Sequence, residues 1–458
     1  MSFTKKQKQI TTTAAVTLAL TTMLTGCSSD SSSTSATTTV VTDKPVELTA
    51  WIMPNSPKPD ADFLSLMKPY LDKHPNVKIN VTVLDWGSAW TKITTAATSG
   101  TGPDIMQLGT TWVPAIAAMN GIDKITDKTA DIGGADAYLP ASWKTTMIEG
   151  QPDVYAVPWF VDARAVYYRK DAFEKAGVDP KDAFKTWDSF KAALQKVNHV
   201  NIDGQEMAAF TMPGKNDWNV AHNIFPWVWE AGGEVLAKDN KKSTFNSETA
   251  LKGLMFYTGL AKDGLVDKKS LEENSSQVEA DFADGKAAAI IDTPVLIKSF
   301  ATSKENGGYS DKLAAKNYAV APLPAGPSGQ ATFFGGSDLT VFSGSKNKGN
   351  AWDVVKYLAS DDAQLQYAQL SGMLPAKNSA LNSSYVTNDP NLSAFKAATQ
   401  FGRSYPSIPQ WGPTETVLVK HFGNIWDIVA GVNGTYSDAA VKKELDAAAQ
   451  EVDSILKQ

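Results

Sequence analysis

One cysteine and four histidines among 458 residues leave little material for disulfide, metal or redox chemistry. Cys27 has no partner for an internal disulfide. His74, His199, His222 and His421 stand at no metal-ligand spacing. No Gly-x-Gly-x-x-Gly, P-loop or Gly-x-Ser-x-Gly element occurs, so nucleotide and acyl-transfer sites lack support and no cofactor is expected. Positive charge is in deficit too. Against 49 Asp and Glu there are 43 Lys and Arg, for a net charge of −6 with no basic run, which argues against nucleic acid as a partner. Long apolar runs are missing beyond the first residues, so no membrane-spanning helix is expected in the body.

What is present begins at the N-terminus. Lys5, Lys6 and Lys8 precede a short apolar stretch, Ile10 to Met23, too brief for a comfortable span of about 20 residues. Residues 1–26 therefore read as a secretory signal peptide. The stretch ends Leu24-Thr25-Gly26-Cys27, a small-residue cleavage site directly before the lone cysteine, so Cys27 is expected to carry lipid and become the new N-terminus. Residues 27–44 continue from that cysteine as a linker of mostly Ser, Thr, Ala and Asp, too poor in apolar side chains to offset the entropy of ordering. It reads as a leash that holds a folded body off the outer face of the cytoplasmic membrane, with the lipid as the sole anchor.

The body alternates strand and helix. Val46 to Trp51 has the period of a strand, and Phe63, Leu66, Met67, Tyr70 and Leu71 share one face of a helix that stops at His74-Pro75. Val77, Ile79, Val81 and Val83 alternate as a second strand, a helix covers Trp90 to Ser99, and Asp104 to Leu108 forms a short buried strand. Val166 to Arg169, Ala287 to Ile291 and Tyr318 to Ala321 continue the strands, and the final hundred or so residues are rich in helix. Strands separated by helices of this length predict parallel sheets, hence an α/β protein with ligands bound outside the carboxyl ends of the strands.

Six stretches in order resemble solute-binding protein family 1 of ABC importers, the group that contains the maltose-binding protein. They are Gly100-Thr-Gly-Pro-Asp-Ile-Met-Gln-Leu108, Val157 to Lys170, Lys185-Thr-Trp-Asp-Ser-Phe190, Phe282 to Ile291, Tyr318-Ala-Val-Ala-Pro-Leu-Pro324 and Ser345-Lys-Asn-Lys348. The resemblance implies a two-lobed periplasmic-binding-protein-like fold, each lobe a mostly parallel sheet flanked by helices, with a ligand cleft between them. It places the first lobe at 45–160 plus 297–342 and the second at 163–291 plus 346–458. It further implies an extracellular, monomeric receptor that closes on a carbohydrate and delivers it to the transmembrane subunits of an ABC permease, catalysing nothing itself.

A sugar ring asks for carboxylates, amides and Arg at its hydroxyls and a flat aromatic surface at its C–H face. The strand-end rule selects Asn55 and Ser56 after the first strand, Asp85 and Trp86 after the second, and Thr111 and Trp112 after the third. Trp86 reads equally as cleft or core, whereas Trp90 shares a face with Ile93 and Ala97 and reads as core. In the maltose-binding protein the positions matching Asn55, Ser56 and Thr111 touch sugar. Asp162 and Arg164 lie in the first crossing between lobes, as ligand contacts, as a buried ion pair at the hinge, or as both. Trp218 and His222 stand at the start of a helix in the second lobe, the latter matching a sugar-stacking position of the maltose-binding protein. Trp411 falls on a Pro-rich loop, and Gly335-Gly336-Ser337 brings backbone amides within reach, with Gly336 the candidate. Where the family often has Gly-Pro-Trp, this chain reads Asp292-Thr-Pro-Val295, so Val295 stands where the stacking Trp is expected, Asp292 is expected to supply a polar contact instead, and a maltodextrin specificity does not carry over. Two other readings stay open. A secreted glycoside hydrolase or lyase also needs Trp-lined subsites, and 49 acids leave room for a catalytic pair. A receptor for a peptide, polyamine or phosphate ester would more naturally show a basic cluster than one Arg164.

Overall fold

The computed structural model describes residues 44–458. Residues 1–26, read above as a signal peptide, Cys27 and most of the expected linker lie outside the described residues.

Twelve strands are described: β1 (Val46–Ile52), β2 (Val77–Val83), β3 (Ile105–Gly109), β4 (Val157–Ala163), β5 (Ala165–Arg169), β6 (Asn201–Ile202), β7 (Gln205–Glu206), β8 (Ala289–Asp292), β9 (Tyr318–Ala321), β10 (Thr332–Val341), β11 (Leu374–Pro375) and β12 (Gly402–Arg403). β1 follows the alternation of its sequence, burying Leu48, Ala50 and Ile52. It pairs in parallel with β2 from Val46↔Val77 to Ile52↔Val83, and in parallel with β3 on its other side. The helices that make these crossovers bury the predicted faces: Phe63, Leu66, Met67 and Tyr70 on Pro59–Lys73, and Ala89, Ile93 and Ala96 on Trp86–Ser99. Gly100, at φ +69°, ends the second helix in the left-handed conformation that a side chain resists.

The first sheet runs β11-β4-β10-β3-β1-β2, with β12 beside β10. β10 is antiparallel to both β3 and β4, because the chain re-enters this sheet from the far side. The second sheet runs β8-β5-β9. Its three strands are antiparallel, not mostly parallel, and parallel bridges Ala208↔Ala287 and Thr211↔Ile290 extend it.

The two sheets share a strand path. β4 belongs to the first and β5 to the second, and Arg164 is the one residue between them. The chain crosses again between β9 and β10. These pairings draw the lobes differently from the sequence expectation. β9 lies in the second sheet, so the segment 297–342 is split at the crossing and only β10 joins the first. The helices from Lys348 to Leu381 pack on the first sheet, burying Trp352, Leu358 and Tyr367 in one core with Leu48, Phe63 and Trp159, while Pro390–Ala398 lies on β9 and β5 of the second, with Phe395 5.6 Å from Tyr167. The helices Trp411–Ala430 and Asp438–Ile455 pack in the second core, beside Trp227, Phe225 and Phe190. Amphipathic periodicity says that a helix packs, not on which of two sheets, and that is why the sequence misplaced the block from Lys348 to Leu381.

Candidate functional site

A cleft of about 190 Å³ opens where the carboxyl ends of β1 and β3 face helix starts of the second lobe across the crossing strands. Of the residues singled out from sequence, Asn55, Trp86, Thr111, Trp112, Asp162, Arg164, Trp218, His222, Asp292 and Gly336 all line it. Three do not. Ser56 turns its hydroxyl to Asp62 at 2.5 Å, and Asp85 caps the Trp86–Ser99 helix by accepting from the Gly87 N–H at 3.0 Å. Trp411 starts a 20-residue helix, is fully buried and stacks on Tyr405 at 4.3 Å, so it is core and not an exposed loop residue.

The pivot carries the central polar group. Arg164 is 3% exposed and its Nη2 donates to Asp162 Oδ2 at 3.2 Å and to Asn219 Oδ1 at 3.0 Å. Its Nε has no partner, and neither has Asp162 Oδ1. Burial pushes Asp162 up and Arg164 opposes the shift, so the ion pair only partly offsets desolvation.

Asp217 organises the opposite wall. One oxygen accepts from the Asn219 N–H at 2.5 Å, and the other from the hydroxyl of Ser275 at 2.6 Å and from its N–H. It thereby ties together the starts of the helices Val220–Glu230 and Ser275–Ala283, both of which front the cleft. Along the second of these, Glu279 faces the cavity and accepts no hydrogen bond from any described residue. Asp292, at the end of β8, is buried and accepts only from the Thr293 N–H at 2.6 Å. Burial raises both carboxyl groups: Glu279 goes well above its ordinary range with repulsion from Asp292 and Asp217 added, and Asp292 goes to about 7 with Asp162 and Asp217 adding to the rise and Arg164 opposing it.

Aromatic rings line the remaining walls. Trp86 of the first lobe stacks on Trp218 of the second, with centroids 5.1 Å apart and planes 15° from parallel. Trp218 is 36% exposed, while Trp112 is 6% exposed and sits against both Trp86 and Trp90. His222 lies flat on Phe333 at 4.0 Å and meets the Tyr405 hydroxyl at 3.0 Å through Nδ1. Burial, helped by Arg164, holds His222 well below its usual pKa, so it is neutral at pH 7.

Sequence reasoning missed Asn219, Glu279 and Glu415. Glu415 reaches across from the Trp411–Ala430 helix, accepting from Thr111 Oγ1 at 3.1 Å and from Trp112 Nε1 at 3.2 Å. Burial pushes it up to about 7, with the hydrogen bonds from Trp112 and Thr111 acting against the rise. The signal was available: Glu415 stands four residues after Trp411, one turn along the same helix. Reading Trp411 as loop hid it.

Two α/β lobes joined by crossing strands, with a polar and aromatic cleft at the strand ends, define the class of hinge-bending binding proteins. The family model "Bacterial extracellular solute-binding protein" matches residues 54–365, and the chain belongs to that family. The diacetylchitobiose binding protein DasA of Streptomyces coelicolor is 28% identical over 378 residues, covering 80% of this chain and 81% of that protein. A maltooligosaccharide ABC transporter solute-binding lipoprotein of Streptococcus pneumoniae is 23% identical over 358 residues, covering 76% and 78%. The solved structure of the sugar-binding protein MalE from the phytopathogen Xanthomonas citri aligns with a TM-score of 0.72 at 26% identity, over 90% of this chain and 98% of that one.

Proposed function

We propose that this protein is the lipid-anchored, monomeric carbohydrate receptor of an ABC importer. It captures a di- or oligosaccharide outside the cell by hinge closure and hands it unaltered to the permease. The observation that carries the reading is the pairing of chemistries in one cleft: Trp86 and Trp218 offer flat faces, and carboxylates with Arg164 offer hydroxyl partners between them. The cleft volume of about 190 Å³ is below the roughly 300–1,000 Å³ usual for small-molecule sites, so a disaccharide enters only when the lobes part. Glu415 bonded to Thr111 and Trp112 across the gap marks the arrangement as a closed one. Closure gives the ligand its differential affinity for one of two shapes, and the shape is what a permease reads. The relatives named for diacetylchitobiose and maltooligosaccharides support carbohydrate as the class.

The test is a thermal-shift screen of the purified protein against mono-, di- and oligosaccharides, with peptides, polyamines and phosphate esters as controls. A ligand that binds only the native state raises stability by RT ln(1 + [L]/Kd). Stabilisation by a saccharide that is recovered intact after hours supports the reading. Stabilisation by a control class alone, or saccharide turnover abolished by one carboxylate substitution, overturns it.

A further inference from the structure

The carboxylates of the cleft are unevenly served. Asp162 has Arg164, and Asp217 has both oxygens filled by the helix starts it ties together. Glu279 and Asp292 face the same cavity with no cation in ion-pair contact with either among the described residues. Arg164 lowers both from a distance but does not offset their burial, and its hydrogen bonds from Nη2 go to Asp162 and Asn219. Two acids in one desolvated cavity cannot both ionise at ordinary cost without a positive partner. A second observation is independent of these acids: the Nε–H of Arg164, on a side chain 4% exposed, is buried at the cleft wall and donates to nothing. The cavity therefore asks for a positive charge and, a short way off, for a hydrogen-bond acceptor.

We infer that the solute is an amine-bearing sugar, whose ammonium group sits between Glu279 and Asp292 and whose hydroxyl or ring oxygen accepts from Arg164 Nε. This rests on the carbohydrate reading above and narrows it. An ammonium brings three donors and one charge to the two acids, and the rest of the ring brings the acceptor and the flat C–H face for the Trp86–Trp218 pair. A metal ion or a fully protonated polyamine brings the charge but offers Arg164 no acceptor. No group of three metal-ligating side chains occurs among the described residues. A neutral sugar offers the acceptor but leaves the acids without compensation, so one must hold a proton. The upward shifts of Glu279 and Asp292 agree: an ammonium beside them favours the ionised forms and draws both back down, so binding releases protons.

The experiment titrates the purified protein with matched pairs that differ in the amine alone: glucosamine against glucose, galactosamine against galactose, and the chitosan dimer against cellobiose. Calorimetry in two buffers of different ionisation enthalpy reads both affinity and proton release. The amine member of at least one pair should bind about tenfold tighter or more, weaken with salt and release protons near neutral pH. Glu279→Gln and Asp292→Asn should each drive that within-pair ratio towards one. If a variant fails to fold, acetylating the ligand amine removes the same charge from the other side and should collapse the ratio equally. Neutral members binding as tightly as their amines, or a ratio that survives both substitutions and acetylation, would overturn this inference alone. A screen in which no saccharide of either kind binds would sink the carbohydrate reading and this inference together.

Discussion

The indoles of Trp86 and Trp218 come from opposite lobes and lie nearly parallel, 5.1 Å between centroids. In this closed arrangement each ring covers the other. When the lobes part, both become free apolar faces at the cleft mouth. Trp218→Ala should weaken saccharide binding by about 2 kcal/mol or more, roughly thirtyfold in Kd. Because Trp218 is 36% exposed, its melting temperature without ligand should hardly move. Unaltered affinity in calorimetry would mean the pair only shields the cleft.

Trp112 combines two roles, cleft wall and core. It lines the cleft and is 6% exposed, with its N–H on Glu415. Trp112→Ala should therefore cost about 3–5 kcal/mol of folding stability in addition to affinity. Trp112→Phe keeps a ring and loses the N–H, so it should lose much less stability. Chemical denaturation measures both, and an undiminished Trp112→Ala would remove the residue from the core.

Glu415 gives a pH dependence with a definite sign. Its pKa rises from an ordinary 4.5 to about 7 on folding, so the folded state binds the proton more tightly. The stabilisation from that proton is full below pH 4.5 and is lost as pH rises through 7. The difference is roughly 3 kcal/mol between the two ends of the window. His222, whose Nε2 is 3.8 Å from Glu415, and Tyr405 are the titratable groups facing it, and both stay in the variant. Glu415→Gln should be stabilised relative to the parent more at pH 8 than at pH 4.5. Parallel stability curves for the two proteins would contradict the burial argument.

Gly336 lies in β10 at φ +130°, and a Cβ there would come within 2.1 Å of the Phe160 carbonyl oxygen in β4. Gly336→Ala has to push apart two strands that carry the crossing. Its melting temperature should fall by well over that of an average substitution, which costs about 1 kcal/mol. Near-parental melting would show that the strands separate freely.

Cys27→Ser should leave the precursor unprocessed or release the body into the medium, with saccharide affinity unchanged. Cell fractionation decides it. A variant that is processed normally and stays cell-bound would end the lipoprotein reading.

Local features were legible and long-range ones were not. Tyr318–Ala321 is a strand with the bounds its sequence suggests, and the alternation in Val46–Ile52 marks the buried face of β1. The strand-end rule gathered Asn55, Thr111 and Trp112 at one cavity because a parallel sheet places successive carboxyl ends side by side. Ser56 and Asp85 obey the same rule yet serve local capping and turn bonds, a choice made by one rotamer. Glu415 reaches Thr111 from 304 residues away, and Glu279 shares a cavity with Trp86 of the other lobe, juxtapositions for which no local pattern speaks. Trp411 was misread because proline at the third position of a helix looks like a loop until the helix is known to begin there.

Arg164 is both the joint between two sheets and a wall of the cleft. Selection or engineering that alters it to change the solute must therefore also alter how the molecule bends. Variation in specificity has an easier route through side chains mounted on one lobe alone, such as Trp218 and Glu279. Among homologues with different solutes, the pivot should then change slowly and the second-lobe wall quickly.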